Sequence, residues 1–175
     1  LLLPQTKPAF APNIVVMQRR GYSSGILPYR ITRGEPVPFP FPIIDPHIHQ
    51  WDLVNTPRIL TLPRKLLGWN RRLYETVLRI GAKKSDRDYV GRTDFVAWDY
   101  LPAHYAQDAA RLPISHVVHV EAEWRDHGPV GPAGETYWLE QLFTGVTQPR
   151  LGAIVGHAQL QSSHLDACLQ AHFAA

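Results

Sequence analysis

Two histidines one residue apart, His47 and His49, close the run Ile43-Ile44-Asp45-Pro46-His47-Ile48-His49. The run is short and rich in isoleucine, which reads as a buried strand. On a strand, residues i and i+2 share a face, so both imidazoles can reach one ion of the zinc type. The alternation predicts Ile44, Pro46 and Ile48 on one face and Asp45, His47 and His49 on the other. A divalent ion held there lowers the pKa of a bound water and polarises a carbonyl. The plainer reading of His-x-His is a pair of hydrogen-bonded strand histidines, and the motif is too short to choose by itself. Asp45 just before the pair and Gln50-Trp51-Asp52 just after it make the context more specific.

Composition narrows the rest. The chain has 175 residues, 45% hydrophobic and 19% charged, which excludes wholesale disorder. No run approaches the roughly 18 consecutive apolar residues of a membrane span. A single cysteine, Cys168, excludes an internal disulfide and a Cys-rich zinc module. No Walker loop or G-x-G-x-x-G occurs, so no nucleotide cofactor is expected. The chain is also read as lacking a serine nucleophile elbow.

The elements that must carry the histidines follow from periodicity. His116 to Trp124 alternates, with Val118, Val120 and Ala122 expected against helices and His119, Glu121 and Glu123 toward a polar interior. Residues 135–143 set Trp138, Leu139, Leu142 and Phe143 on one helical stripe. Leu151 to Leu160 reads as a further strand. Ser163 and Asp166 suggest a capped helix with Leu165, Leu169 and Phe173 on its buried face. The order β, α, β, α, β, α predicts an α/β fold with parallel strands.

Asp45-Pro46-His47-Ile48-His49-Gln50-Trp51-Asp52 resembles the opening signature of the amidohydrolase-related family, the TIM-barrel metal-dependent hydrolases. It is most similar to the branch that includes sugar-lactone and dicarboxylate lactonases. Tyr100-Leu101-Pro102-Ala103 is similar to the start of that branch's first helix, and Val118 to Trp124 to its second strand. Gly134 to Leu139 is similar to its second helix, and Ile154 to Ala158 to its third strand. The resemblance runs in order over residues 43–175. It implies an incomplete (β/α)8 barrel, about the first three β/α units, preceded by an irregular N-terminal arm. It also implies a hydrolase in which a metal or the histidines assist attack of water on a lactone or amide carbonyl. His47 and His49 then occupy the metal-binding positions, with a divalent, zinc-type ion as the cofactor. His47, His49 and Glu123 become the catalytic candidates. A decarboxylase of the same superfamily is the enzymatic alternative. Family members draw further histidines and a late aspartate from the second half of the barrel. A closed barrel needs about 250 residues, so the chain is expected to be a fragment of low activity alone, or a non-catalytic truncated product.

Charge is segregated along the chain. Residues 58–92 hold ten Lys/Arg against Glu75, Asp86 and Asp88. Following the first strand, this basic insert belongs beside the site and suits a small anionic or lactone substrate; a solvated helix face is the plainer reading. Within it, Leu66 to Ile80 carries a helical apolar set of Leu66, Leu73, Val77 and Ile80. No nucleic-acid or membrane partner is expected, and self-association through an exposed sheet edge is. Residues 1–42 form a Pro-rich, basic leader or arm. Residues 1–34 lack any acid, and Arg20-Gly21-Tyr22-Ser23 is similar to a mitochondrial processing site, so a transit peptide competes with an irregular arm. The expected compartment is cytoplasmic or mitochondrial.

Overall fold

The computed structural model describes residues 14–18, 41–84, 88 and 95–175 and is mixed α/β. Aliphatic, β-branched runs form β1 (Ile14–Gln18), β2 (Ile43–Ile48), β3 (Ile114–Val120) and β4 (Arg150–His157). The helices whose bounds are described are α1 (Thr61–Leu67), α2 (Arg71–Gly81), α3 (Pro102–Asp108), α4 (Ala133–Leu142) and α5 (Leu165–Ala174). Strands β2, β3 and β4 are parallel neighbours with helices between them in sequence, as the alternation of periods predicts.

The fourth strand departs from the expected irregular arm. β1 lies within the leader and pairs antiparallel with β4, Ile14 opposite His157 and Gln18 opposite Ala153. Its Ile-Val-Val-Met run is a good strand former, and the outer edge of β4 offers it a row of unpaired backbone groups. The expected processing site and, of the proline-rich stretch at 36–42, residues 36–40 lie outside the described residues. With β1 on one edge, the other edge is β2, where Pro46 removes a backbone donor and blunts pairing with another chain.

The face assignment of β2 also needs correction. Ile43 pairs with Ile114 and Asp45 with Val117, but Ile48 pairs with His119, so three steps on β2 oppose two on β3. This irregularity reverses the parity of the strand. Ile43 and Ile48 therefore both pack into the helix-covered core with Tyr105, Val117, Leu139 and Ile154. Ile44, expected on the apolar face, is 47% exposed, whereas Asp45 accepts a hydrogen bond from the Tyr105 hydroxyl of α3 at 2.8 Å. β3 is reversed as well: Val117 and His119 are buried, and Val118 and Val120 only partly so.

On α4 the expected stripe holds, with Leu139 and Phe143 buried and Trp138 and Leu142 packed beside them. Fully burying Leu139 contributes roughly 1.5–3 kcal/mol. On α5 it does not: Cys168 and His172 face inward while Phe173 is 69% exposed. His172 turns the helix this way, its Nε2 donating to the His157 carbonyl (3.0 Å) and its Nδ1 meeting the Thr136 hydroxyl (2.8 Å). The stretch from Leu66 to Ile80 spans two helices rather than one, because Asn70 caps α2 by accepting from the Leu73 amide at 3.1 Å. Only Tyr74 of α2 is buried, edge-on to Trp98 at 5.7 Å between ring centres.

Candidate functional site

The carboxyl ends of β2 and β3 meet where the two histidines emerge. Asp45 accepts the His47 amide at 3.1 Å through Oδ1 and the Tyr105 hydroxyl through Oδ2, so one carboxylate fixes the strand end against α3. His49 Nδ1 lies 2.9 Å from the Val120 carbonyl oxygen. A carbonyl only accepts, so Nδ1 carries the proton and the lone pair of His49 sits on Nε2. That nitrogen is 3.1 Å from His47 Nε2, and the two rings meet edge to face.

This geometry fits half of a zinc site. Two nitrogens, each about 2.0–2.1 Å from zinc at a tetrahedral angle, stand about 3.3 Å apart. The Nδ1–H bond to a backbone carbonyl is also how ligating histidines are oriented. Among the described residues, however, no group of three or more His, Cys, Asp or Glu side chains is placed to hold an ion.

The chain after His49 is fastened down. Trp51 and Tyr100 exchange backbone hydrogen bonds of 3.0 and 2.9 Å, and the Trp51 indole donates to the Trp98 carbonyl. Asp52 closes the turn by accepting the Val54 and Asn55 amides at 2.9 and 2.8 Å. Burial alone would raise the Asp52 carboxyl, but these bonds and the Arg58 charge hold its pKa below the ordinary value.

Behind the site is a buried ion pair that local sequence patterns do not reveal. Arg58 Nη1 donates to Glu135 Oε1 at 2.6 Å and to the Ala122 carbonyl, and the guanidinium lies over the rings of Trp124 and Trp138. The Ala122 amide donates to the same carboxylate at 3.2 Å. Burial would raise the pKa of Glu135, but His119 and the Arg58 charge bring it below the ordinary value. His119, also fully buried, accepts the Gln50 amide on Nδ1 at 3.2 Å and turns Nε2 toward Glu135 at 3.5 Å. Burial lowers its pKa and keeps the ring neutral. It is a buried histidine on the helix-covered side of the sheet, facing Glu135.

Glu123 shares a cleft of about 270 Å³ with His49. Its walls are mostly apolar, formed by Trp51, Leu53, Ile59, Leu60 and Val96, with Glu121 beside Glu123 at the rim. A second cleft of about 380 Å³ opens on the other side of the pair and includes His47, Tyr100 and Asp108. Of the basic insert's described Lys and Arg residues, only Arg58 lines either cleft, and Glu135 already engages it. Gly21-Tyr22-Ser23-Ser24-Gly25 does match the Gly-x-Ser-x-Gly spacing, contrary to the expectation of no elbow, and lies outside the described residues.

Glu123 has φ of 56°, in the left-handed region, and its amide donates to Glu121 Oε2 at 3.0 Å. A non-glycine residue there costs about 1–2 kcal/mol. Glu123→Gly is therefore expected to leave stability unchanged or raise it by up to about 1 kcal/mol in urea unfolding. A larger loss would assign the strain's compensation to the Glu123 side chain, which lies 3.8 Å from Arg125.

Comparison with family models, curated proteins and solved structures finds no match to this chain.

Proposed function

We propose that the chain is the opening part of an amidohydrolase-like hydrolase, with His47 and His49 holding a divalent ion beside a lactone or amide carbonyl. One observation carries the reading: the two Nε2 atoms converge to 3.1 Å while Val120 fixes the His49 tautomer. An ion bound there would supply Lewis acidity and a water of lowered pKa. The chain's own residues bind and orient. Trp51, Leu53 and Ile59 receive the apolar part of the substrate and exclude water, and Glu121 and Glu123 at the rim disfavour an anion. A neutral lactone with an apolar arm fits this lining better than an anionic one. Water adds to the carbonyl carbon, the ring carbon–oxygen bond breaks, and a proton passes to the leaving alkoxide. Glu123 is the residue proposed to hold that proton.

The same reading makes β2, β3 and β4 the first three strands of a barrel, with chemistry at their carboxyl ends. A fourth parallel strand would add at the edge where β1 now pairs, so closing the barrel requires β1 to leave β4.

Zinc titration followed by calorimetry tests the site. The parent chain is expected to bind one ion, and His47→Ala or His49→Ala to weaken binding by about tenfold or more. Unchanged affinity in both variants would remove the ligand assignment. A second reading, a non-catalytic product of such a gene, is favoured by the lack of a three-residue donor group among the described residues. Zinc binding without turnover of neutral lactones would select it.

A further inference from the structure

Half of the exposed large apolar side chains among the described residues fall between Ile59 and Ile80. Leu62, Leu66 and Trp69 are 65%, 62% and 79% exposed; Leu73, Val77 and Ile80 are 41%, 41% and 74%. Leu73, Val77 and Ile80 recur at i, i+4 and i+7 and so form one stripe along α2, and α1 packs against α2. Tyr74, on the flank of the stripe, packs edge-on to Trp98, and Glu75, opposite the stripe, accepts the Trp98 indole at 3.0 Å. The helix is thus anchored by one face while an apolar ridge points outward. Monomeric proteins rarely leave such a surface uncovered without a partner.

The charge around the ridge identifies that partner. From Arg58 through Lys84 the chain has eight Lys/Arg and one acid, Glu75. Lys65 on α1, Arg72 on α2 and Lys83 just after α2 are exposed. Leucine, valine, isoleucine and tryptophan on one face with lysine and arginine at its margins is the pattern of a helix lying in a membrane interface. No described helix is long and apolar enough to cross a membrane, so the contact is with the surface. Nucleic acid fits less well: of the two aromatics among the cations, Trp69 is exposed but Tyr74 is fully buried, and the ridge between the cations is mainly aliphatic.

We infer that the α1–α2 hairpin is a docking surface for anionic phospholipid membranes. This departs from the expectation of no membrane partner, which rested on the lack of a spanning run. It stands on residues separate from the histidine pair and holds whether or not that pair binds metal.

Cosedimentation of the full chain with phosphatidylcholine vesicles, and with phosphatidylcholine–phosphatidylglycerol vesicles, tests it. Binding is expected only to the anionic vesicles and is expected to weaken as salt is raised. Leu66→Asp/Ile80→Asp and Arg72→Glu/Lys83→Glu should each reduce partitioning by about tenfold or more. All four positions are exposed, so far-UV circular dichroism should match the parent. Absence of vesicle binding overturns the proposal, as does equal binding by the variants. It also fails if the chain dimerises in vesicle-free solution and Leu66→Asp/Ile80→Asp makes it monomeric, since a second copy would then cover the ridge.

Discussion

Arg58→Ala is expected to cost about 3–5 kcal/mol of folding free energy, because it strands a carboxylate rather than merely deleting a contact. Glu135 is 3% exposed, and after the change it keeps only the Ala122 amide and the long approach of His119. The Ala122 carbonyl and the Gln50 carbonyl, 3.5 Å from Nη2, lose their guanidinium donors, and Trp124 and Trp138 lose the cation that lies over their rings. A domain of this size is stable by about 5–15 kcal/mol, so the variant should unfold at much lower urea. Removing both partners is a different experiment. Arg58→Met with Glu135→Leu leaves no buried charge and should fall within about 1 kcal/mol of the parent. Arg58→Lys should lie between, since an ammonium cannot bridge the carboxylate and the carbonyls as the planar guanidinium does. A loss below about 1 kcal/mol in Arg58→Ala would mean that water reaches Glu135 and the pair is not buried in solution.

That pair also marks where sequence reading stops. Strands at 43–48, 114–120 and 150–157 and helices after them were legible because a period of two or 3.6 is a local property. So was the convergence of His47 and His49, which needs only two steps along one strand. Residues 58 and 135 are joined across 77 positions, and no periodicity records such a pairing. The side-chain faces failed for a related reason. One extra residue between Asp45 and Ile48 reverses the parity of β2, and nothing in Asp-Pro-His-Ile announces where it falls. His172 rather than Phe173 faces inward because Thr136 and the His157 carbonyl satisfy both ring nitrogens, a tertiary fact that hydrophobicity along α5 cannot supply. Glu123 lines a cleft with His49, and its left-handed backbone is a turn that alternation along a strand does not record. The helical spacing of Leu66, Leu73, Val77 and Ile80 is legible in the sequence, but that these side chains face outward is not.

Stability is expected to fall steeply as pH drops below the ordinary histidine range. Burial lowers the pKa of both His119 and His172 beneath 6.5. For His119 this outweighs Glu135, which favours the proton, while His49 and Arg58 oppose it as well. For His172, the bond to the His157 carbonyl and the Glu135 charge are not enough to restore the pKa. Above pH 6.5 both rings are neutral whether the chain is folded or not, and the native state keeps its full stability. Below that value the unfolded chain binds protons that the folded chain refuses, so stability is lost until the folded pKa values are reached. Each histidine contributes a slope that approaches about 1.4 kcal/mol per pH unit within its window. His116, shifted the same way by burial and Arg150, adds less because solvent reaches it. Glu135 acts in the same sense at lower pH, since its folded pKa lies under 4.5 and its protonation releases Arg58. Urea midpoints collected from about pH 7 to about pH 5 should therefore decline, and His119→Gln should remove close to one proton from the slope. The structural reason is specific: a proton added to His119 must go on Nδ1, where the Gln50 amide already donates. A flat profile between these limits would show that His119 takes up its proton in the folded state, which the neutral ring between Gln50 and Glu135 does not allow.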